Sequence, residues 1–321
     1  MDRTKYLITG ASGFVGSALL RKLVTLEKDV SIIVRKESDL WRIKDLLFTG
    51  RNGLKVKCFK VNLTDLRQLQ LSINRIKPSI IYHFATYGAY PYQKEPEDIF
   101  KINILGTLNL LNFLSNIDYD LFVNTGTSSE YGRKNTIMRE TDTFVPDSYY
   151  AISKSAQTLL SSYIATSQEK PIITLRLFSV YGPFEQPTRL IPTLLKSLRN
   201  GLEMNLVNPK VARDFVYIDD VISAYLKTKE LKKLSGEQIN ICSGNQSTIK
   251  NIVDITEKVT GKSTTIRWGG MENRSWDKEN WVGDNTKAKR LLGWKPTTSL
   301  ILGLQKTWKW YQKNYKLYEN H

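Results

Sequence analysis

The chain has 321 residues, 41% hydrophobic and 24% charged, which is long enough for two unequal globular units and typical of neither disordered nor fibrous proteins. Two cysteines and two histidines exclude a disulfide scaffold, a four-cysteine zinc site and a multi-histidine metal centre, so we expect no metal cofactor. The net charge of +16 favours anionic ligands. Because the basic residues are spread along the chain, we expect a phosphorylated metabolite and not nucleic acid.

No stretch of the sequence approaches the roughly 18 uninterrupted apolar residues of a membrane helix. Residues 1–5 lead directly into a short apolar run at residues 6–8, without the long apolar region of a signal peptide. We therefore expect a cytoplasmic enzyme with no membrane partner.

In the first half of the chain, short apolar runs alternate with longer amphipathic segments, which is typical of a parallel sheet covered by helices. The predicted strands are residues 5–9, 30–34, 55–61, 79–84, 120–124 and 172–177. The helices predicted between them are residues 15–26, 39–48, 65–76, 96–114 and 150–167. After Phe178 the pattern changes to a turn-rich segment at 181–188, a helix at 190–200, a strand at 214–217 and a helix at 218–230.

These elements predict an α/β fold with a doubly wound parallel sheet and a smaller α/β lobe. The sheet is assigned to residues 1–178, with 217–240 returning to it. The lobe is assigned to residues 179–321, mainly 179–216 and 241–321.

Three glycines lie between the first predicted strand and its helix, spaced as Gly10-x-x-Gly13-x-x-Gly16. Gly10 permits a tight turn, Gly13 lets a pyrophosphate approach the backbone, and Gly16 lets the helix pack closely on the strand. The first unit is therefore predicted to be a Rossmann dinucleotide-binding domain, and an ordinary glycine turn is the alternative. The residues expected to bind the cofactor here are Gly10, Ser12, Gly13, Phe14, Val15 and Gly16.

The end of the second predicted strand distinguishes between the two nicotinamide dinucleotides. An Asp or Glu there would bind the ribose hydroxyls of NAD, whereas Arg35 can pair with the 2′-phosphate of NADP, joined by Ser38 and Arg42. The sequence thus favours NADP over NAD, with a solvated basic loop as the alternative. Asn62, after the third strand, can bond the adenine amino group or form an Asx turn, and both interpretations stay open.

Tyr150 and Lys154 lie four residues apart at the start of a predicted helix and therefore on one face of it. A neighbouring cation favours the phenolate and brings a tyrosine, with its free pKa of about 10, within range of acid/base catalysis. Thr127 follows the fifth predicted strand, where its hydroxyl can hold a carbonyl oxygen against the tyrosine. These three residues are the predicted catalytic group.

With these residues, the sequence resembles the extended short-chain dehydrogenases/reductases, in particular the NAD-dependent epimerase/dehydratase family of nucleotide-sugar enzymes, over essentially the whole chain. The motifs that carry the resemblance are Gly10-x-x-Gly13-x-x-Gly16, His83-Phe-Ala85, Asn103-Ile-Leu-Gly-Thr107, Thr127-Ser-Ser-Glu-Tyr-Gly132, Tyr150-x-x-x-Lys154, Arg176-Leu-Phe-Ser-Val-Tyr-Gly-Pro183, Arg213-Asp-Phe-Val-Tyr-Ile-Asp-Asp220 and Leu292-Gly-Trp-Lys-Pro296.

The resemblance implies a role for each part of the site. Tyr150 would be the general acid/base at a sugar oxygen, Lys154 would bind the nicotinamide ribose, and Thr127 would polarise the oxygen. His83 is expected to pack beneath the cofactor loop and not to take part in catalysis. Helices 96–114 and 150–167 would pair across a twofold axis in a homodimer. Further cofactor contacts are expected from Leu63, Phe84, Ala85, Thr86, Phe178 and Val180.

On the substrate side, Arg213 and Arg274 lie in the predicted smaller lobe, and the resemblance implies that they bind the diphosphate of a nucleotide sugar. Family 4,6-dehydratases have an acid and a Glu base directly after the Thr, where this chain has Ser128 and Ser129, expected to contact substrate. A serine without a partner is not such a base, so we expect no 4,6-dehydration. Glu130 would point to the opposite side of an extended segment.

The sequence therefore predicts an NADP(H)-dependent oxidoreductase that reduces a nucleoside-diphosphate 4-keto-sugar at C4, with surface polysaccharide as the destination of the product. By resemblance alone, the sugar is expected to be a 6-deoxy one. An NAD-dependent nucleotide-sugar 4-epimerase is the alternative. A 4,6-dehydratase and a nucleotide-binding protein without activity are the remaining interpretations.

Overall fold

The structure, a computed structural model, describes residues 4–48, 56–230, 234–273 and 277–319. Within these ranges the chain divides into two compact units. The first consists of Met1–Glu130, Phe144–Arg176 and Ile222–Ile239, and the second of Tyr131–Thr143, Leu177–Val221 and Asn240–His321. The sequence predicts residues 131–143 in the first unit, and the structure assigns them to the second. Residues 131–143 belong to the second unit because the Met138 backbone pairs with Val282 and Asp284.

The strands, in chain order, are β1 (Lys5–Thr9), β2 (Asp29–Val34), β3 (Lys57–Lys60), β4 (Ile80–His83), β5 (Leu121–Thr127), β6 (Ile172–Leu177), β7 (Ser179–Tyr181), β8 (Met204–Leu206), β9 (Ala212–Tyr217), β10 (Gln238–Ile241), β11 (Gln246–Thr248) and β12 (Ile266–Trp268). The α-helices are α1 (Phe14–Thr25), α2 (Lys44–Phe48), α3 (Leu66–Ile76), α4 (Pro96–Phe100), α5 (Gly106–Leu114), α6 (Tyr149–Ser167), α7 (Leu190–Asn200), α8 (Ile218–Lys227), α9 (Ile249–Thr260), α10 (Thr286–Leu292), α11 (Leu300–Asn314) and α12 (Lys316–Glu319).

In the first unit, the described residues form a seven-stranded sheet in the order β10-β6-β5-β4-β1-β2-β3. The central pairs are parallel, with Ile8 of β1 opposite both Ile32 and Tyr82. Because these strands are buried on both faces, their sequences are nearly continuous apolar runs and not alternating ones. This strand order is that of a doubly wound Rossmann sheet, so the predicted fold class is confirmed.

Helices cover both faces of this sheet. On one face, Leu7, Ile81 and Phe122 pack in an apolar cluster with residues of α3, α5 and α6. Strand alternation turns Tyr82 to the other face, where its ring lies 5.9 Å from that of Tyr225 in α8. The carboxyl ends of β1, β2, β4 and β5 therefore meet at one edge, where ligands of such sheets bind.

Two predicted helices are interrupted or shortened in the structure, and one strand of the sheet was not predicted. The helix predicted at 96–114 is interrupted by a π-helical turn at Lys101–Leu105, between α4 and α5, and Asn103 lies in the widened turn. The helix predicted at 39–48 is shorter in the structure and begins at Lys44, the first residue of α2. Residues 39–41 form a tight turn instead, in which the Asp39 side chain accepts the Trp41 N–H. Strand β10, at the edge of the sheet, was not predicted, because four residues are too few for a recognisable hydrophobic pattern.

The second unit contains two small sheets, with strands ordered β11-β9-β7 and β12-β8. Strand β9 begins at Ala212, two residues before the predicted strand. A separate apolar cluster is formed by Tyr131, Met138, Phe178, Cys242 and Trp281. Among the described helices, none has the length and apolar character needed to cross a membrane.

Candidate active site

The turn between β1 and α1 needs glycine for two different reasons. Gly10 has φ of +69°, and a Cβ there would lie 2.5 Å from the backbone nitrogen of Ala85. A Cβ at Gly16 would lie 2.5 Å from the Gly10 carbonyl oxygen and would push α1 away from the turn. At Gly13, the N-cap of α1, no side chain caps the first N–H groups within the described chain. The turn therefore fits a bound pyrophosphate, which would take those N–H groups.

Of three further predicted residues, Ser12 lies in the same turn, and Phe14 and Val15 are the first residues of α1. Ser12, Phe14 and Val15 are half-buried and flank Gly13. The Ser12 carbonyl oxygen lies 3.4 Å from Nη1 of Arg42, a buried arginine. One of the basic groups predicted near the 2′-phosphate is therefore held against the glycine turn.

Arg35 lies directly after β2, as predicted, and its backbone N–H donates to Ser38 Oγ at 3.1 Å. Its guanidinium carbon is 5.9 Å from the ring centroid of Tyr87. Oε1 of Glu37 lies 3.5 Å from Nε of Arg35, and both side chains are exposed. The loop thus presents a carboxylate beside the cation, and the carboxylate was not considered in the sequence reading.

Asn62 forms the Asx turn that the sequence left open. Its Oδ1 accepts the Thr64 backbone N–H at 3.1 Å and the Thr64 hydroxyl at 3.0 Å. Leu63 is buried in the apolar cluster, and its carbonyl oxygen accepts a hydrogen bond from Asn109 Nδ2 at 3.0 Å. The predicted adenine contact of Asn62 stays a prediction.

The segment after β4, which begins with Ala85 and Thr86, is fixed by Asn103. Oδ1 of Asn103 accepts the Tyr87 backbone N–H at 2.8 Å and the Thr86 hydroxyl at 3.2 Å. Its Nδ2 donates to the Tyr87 carbonyl oxygen and to Ser153 Oγ, both at 2.8 Å. The fully buried Asn103 therefore ties this segment to α6, a function that the sequence reading did not assign to it.

His83 is buried at the end of β4, where the packing interpretation placed it. Its Nδ1 lies 2.7 Å from Thr9 Oγ1 and its Nε2 lies 2.9 Å from Thr107 Oγ1. Burial, together with the charge of Lys154, lowers the pKa of His83 to about 3, so the ring is neutral at neutral pH. The neighbouring Phe84 donates its backbone N–H to the Thr9 carbonyl oxygen at 3.1 Å.

Thr127 ends β5, and its Oγ1 lies 3.3 Å from both N and Oγ of Ser129. Ser128 is buried and Ser129 half-buried. Both belong to a 3₁₀ turn, so the expectation of an extended segment here was wrong. Glu130 is nevertheless turned into the interior, where Oε1 accepts the Thr127 backbone N–H at 2.7 Å and Oε2 pairs with Arg176.

Lys154 lies on α6, one helical turn after the half-buried Tyr150. Its Nζ donates to the Thr125 carbonyl oxygen at 2.6 Å and to Gln157 Oε1. Burial lowers the pKa of the Lys154 ammonium to about 8, and the negative charge of Glu130 opposes that shift. A buried ammonium thus lies next to the predicted acid/base on the same helix.

Two predicted cofactor contacts, Phe178 and Val180, lie in the second unit. Phe178 donates its backbone N–H to the Ile241 carbonyl oxygen at 3.2 Å, and its ring packs in the cluster with Cys242. Val180 is the middle residue of β7, paired with Val216. Their expected approach to the cofactor stays a prediction.

Arg213 belongs to β9, and its Nη2 lies 2.5 Å from Asp277 Oδ1. Its guanidinium carbon is 5.0 Å from the ring centroid of Trp281. Arg274, its predicted partner on the diphosphate, lies outside the described residues. No three His, Cys, Asp or Glu side chains come together as metal ligands within the described ranges.

Gln157 was missed by the sequence reading, although its position carried a signal. It lies three residues after Lys154 on a predicted helix and therefore on the same face. Its Oε1 accepts from Lys154, and its Nε2 donates to Thr107 Oγ1 at 2.9 Å. Through Thr107, the ammonium is connected to His83 by buried hydrogen bonds.

Comparison with known proteins gives one family and several relatives. A family model described as GDP-mannose 4,6 dehydratase matches residues 7–307. The chain is 29% identical to the UDP-glucuronate 4-epimerase of Thermodesulfobacterium geofontis, over 97% of each protein. It is 28% identical to the CDP-abequose synthase of Salmonella muenchen, over 94% of this chain and 96% of that one.

Solved structures show the same similarity. The structure of UDP-glucuronic acid 4-epimerase from Bacillus cereus in complex with UDP-glucuronic acid and NAD superimposes with a TM-score of 0.87. The two sequences are 28% identical, and the superposition covers 97% of this chain and 100% of the other.

Proposed function

This chain belongs to the family described as GDP-mannose 4,6 dehydratase, and on that premise we propose that it is an NAD-dependent nucleotide-sugar 4-epimerase. The observation that carries the proposal is the arrangement at the end of β5. There the Lys154 ammonium is bonded to the Thr125 carbonyl, Thr127 ends the strand, and Tyr150 precedes Lys154 by one helical turn. Such a group moves a proton at one sugar hydroxyl and needs no other acid or base.

The relatives support epimerisation more than the reduction that the sequence favoured. The relative from Thermodesulfobacterium geofontis is named a UDP-glucuronate 4-epimerase. The similar structure from Bacillus cereus is a 4-epimerase in complex with NAD and UDP-glucuronic acid. A nucleoside-diphosphate sugar, with UDP-sugars as the first to be tested, is accordingly the substrate class that we propose.

The residues present fit a dinucleotide. Gly10 and Gly16 let the turn pack against the Ala85 backbone and the Gly10 carbonyl, which a Cβ would prevent, and Gly13 would present the uncapped N-terminus of α1 to a pyrophosphate. Arg35 and Ser38 at the end of β2 lie where the adenosine ribose is bound in this fold. The chemistry that NAD supplies when bound is reversible hydride transfer at C4 of the sugar.

The chain's own residues handle the proton. Tyr150 takes the proton from the C4 hydroxyl and returns it when the hydroxyl is formed again. The Lys154 ammonium favours the phenolate form of Tyr150. Thr127, whose hydroxyl is oriented by the Ser129 N–H, forms a hydrogen bond with the same sugar oxygen and holds it against Tyr150.

The 4,6-dehydratase chemistry in the family's name is not proposed for this chain. Dehydration needs an acid and a base after Thr127, and Ser128 and Ser129 stand at those places. The carboxylate of Glu130 is fully buried and bonded to Arg176 and to the Thr127 N–H. Both of its oxygens accept hydrogen bonds from protein groups, so we do not assign it as the base for dehydration.

Arg35 supports a second candidate, an NADP(H)-dependent C4 reductase of a nucleotide 4-keto-sugar. Its guanidinium stands at the place from which a 2′-phosphate is bound in this fold. The Glu37 carboxylate, 3.5 Å from Arg35 Nε, would repel that phosphate and can accept hydrogen bonds from the ribose hydroxyls of NAD. Together with the relatives, this carboxylate places the epimerase before the reductase.

A homodimer is proposed as well, with a narrower surface than the sequence suggested. Of the apolar residues on the two helices expected to pair, Leu111, Ala151 and Ile164 face the core of the first unit. The exposed apolar side chains of α6 and the π-helical turn are Leu105, Tyr149, Ile152, Leu159 and Tyr163, which are 51%, 55%, 43%, 57% and 66% exposed. Exposed apolar side chains on two packed elements favour pairing with a second copy. The cytoplasmic location and the polysaccharide pathway stay predictions.

The test is product analysis with purified protein. The protein is incubated with UDP-glucose or UDP-glucuronate and NAD, and the C4 epimer is followed by proton NMR. A parallel incubation contains NADPH and a panel of nucleotide 4-keto-6-deoxy-sugars, and absorbance of the reduced nicotinamide is followed. Formation of a C4 epimer without net NADH production supports the proposal. Consumption of NADPH with no epimer in the first incubation would overturn it in favour of the reductase.

A further inference from the structure

Glu130 and Arg176 form a buried ion pair in the first unit, next to the end of β5 that carries Thr127. Glu130 Oε2 lies 2.8 Å from Arg176 Nε, and both side chains are 0% exposed. Arg176 also donates to Gln238 Oε1, and its guanidinium carbon lies 4.7 Å above the ring of Phe144. A buried ion pair gives little net stability, because removing both charges from water costs several kcal/mol. The pair therefore calls for a use other than stability.

The second oxygen of Glu130 reaches the active site. Oε1 accepts the Thr127 backbone N–H at 2.7 Å, so the carboxylate closes the turn that carries the catalytic hydroxyl. A Cβ at Gly126 would lie 2.7 Å from the same oxygen, which shows how tightly the strand passes over the carboxylate. Glu130 thereby fixes the backbone on which Thr127 stands.

Lys154, on α6, contacts the same segment of β5, residues 125–127. Its ammonium donates to the Thr125 carbonyl at 2.6 Å, while Glu130 accepts from the Thr127 amide two residues on. The anion and the cation are thus held by one short segment of strand, both nearly out of contact with water. Opposite charges in a low-dielectric interior interact strongly, and the negative charge of Glu130 acts on Lys154.

The charges of the ionisable groups around Glu130 and Lys154 depend on burial and on the groups beside them. Arg176 stays protonated at every accessible pH, so a neutral Glu130 would leave its buried charge uncompensated. Burial raises the pKa of the Glu130 carboxyl, and the charges of Arg176 and Lys154 and the Thr127 N–H act against that shift. Paired with Arg176, Glu130 is the anion of this cluster. Of the groups around Lys154, His83 on β4 is neutral, and burial holds the pKa of Tyr225 on α8, which bonds the Thr125 hydroxyl, above its usual range. Tyr150 on α6 is a further titratable group on the same helix as Lys154.

We propose that Glu130 is a positioning residue for the reaction, which anchors Thr127 through its backbone and keeps Lys154 protonated by its negative charge. The proposal deepens the proposed function, since it rests on the roles assigned there to Thr127 and Lys154. Without the carboxylate, Lys154 would be a buried ammonium with no anion beside it in the described chain. It would then lose its proton at a lower pH and no longer favour the phenolate of Tyr150.

The test measures the titration of Lys154 itself in the full-length protein. With lysines labelled by ¹³C at Cε, we expect one resonance to titrate near pH 8, well below the other lysines, and to be absent from Lys154→Arg. In Glu130→Gln this midpoint should move down by about one pH unit or more. The Glu130→Met/Arg176→Met double variant removes both charges while filling the space, so it keeps the measurement available if the single variant unfolds.

The matched control is Glu140→Gln, because Glu140 is a carboxylate that also accepts a backbone N–H, that of Asn240 at 2.8 Å, but belongs to the second unit. Its midpoint should equal that of the wild type. A lowered stability of the Glu130 variants with an unchanged Lys154 midpoint would overturn the proposal and leave Glu130 a structural residue only. Because this titration uses no sugar and no cofactor, its failure is distinguishable from a failure of the epimerase assignment.

Discussion

Replacing Gly10 with alanine should destabilise the protein more than the same change at Gly201, although the two backbones are nearly alike. Gly10 has φ of +69° and Gly201, at the C-terminus of α7, has φ of +66°. A non-glycine residue in this conformation costs about 1 kcal/mol. At Gly201 a Cβ would meet nothing within 4 Å in the described chain, so about 1 kcal/mol is the whole expected effect.

At Gly10 the new Cβ would also overlap backbone atoms. It would lie 2.5 Å from Ala85 N and 2.6 Å from Phe84 C, which do not move unless the end of β4 moves. Overpacking of this kind costs about 1–3 kcal/mol more, so Gly10→Ala should lose about 2–4 kcal/mol in total.

Urea denaturation followed by circular dichroism measures both variants, and an unchanged slope of the transition shows that the midpoint reports stability. Binding of NAD should be lost with Gly10→Ala and retained with Gly201→Ala. Equal losses of stability in the two variants would refute the close approach of the β1 turn to the segment after β4.

Three further predictions concern chemistry, assembly and pH. Tyr150→Phe should lower kcat by about 10²-fold or more with NAD binding nearly intact, and wild-type turnover on the true substrate would contradict its role. Leu159→Glu should convert a dimer to a monomer in light scattering whereas Leu202→Glu, a change at another exposed leucine, should not, and a monomeric wild type would contradict the proposed pairing. His83 has its pKa lowered to about 3, so below about pH 6.5 the unfolded state binds the extra proton, and stability should fall by about 1.4 kcal/mol per pH unit as pH falls toward 3. In His83→Gln this part of the slope should disappear, and an unchanged slope would contradict a buried neutral ring.

The parallel sheet was predictable because its strands are continuous apolar runs separated by amphipathic helices. Strands β1 and β6 were predicted with their observed bounds. The π-helical turn at Lys101–Leu105 was not predictable, because it is stabilised by bonds of Asn103 to Tyr87 and Ser153, which are distant in sequence. Strand β10 likewise depends on the sheet edge that it joins and not on its own four residues.

The candidate site was predictable where spacing along one element carried the information. The glycines of the β1 turn and the pair Tyr150 and Lys154 are of this kind. What the sequence could not show were contacts between elements. The pairing of Glu130 with Arg176 joins the end of β5 to β6, and the hydrogen bond from Gln157 to Thr107 joins α6 to α5.

The fate of the hydrogen on C4 tests the central claim most directly. A nucleotide sugar carrying deuterium at C4, UDP-glucose or UDP-glucuronate, is incubated with the protein and unlabelled NAD, and the product is examined by NMR and mass spectrometry. The epimerase account predicts that the C4 epimer appears with its deuterium retained at C4, because the same hydride is removed and returned. Loss of the deuterium to the added cofactor pool, or recovery of the sugar with its C4 configuration unchanged, would contradict the account.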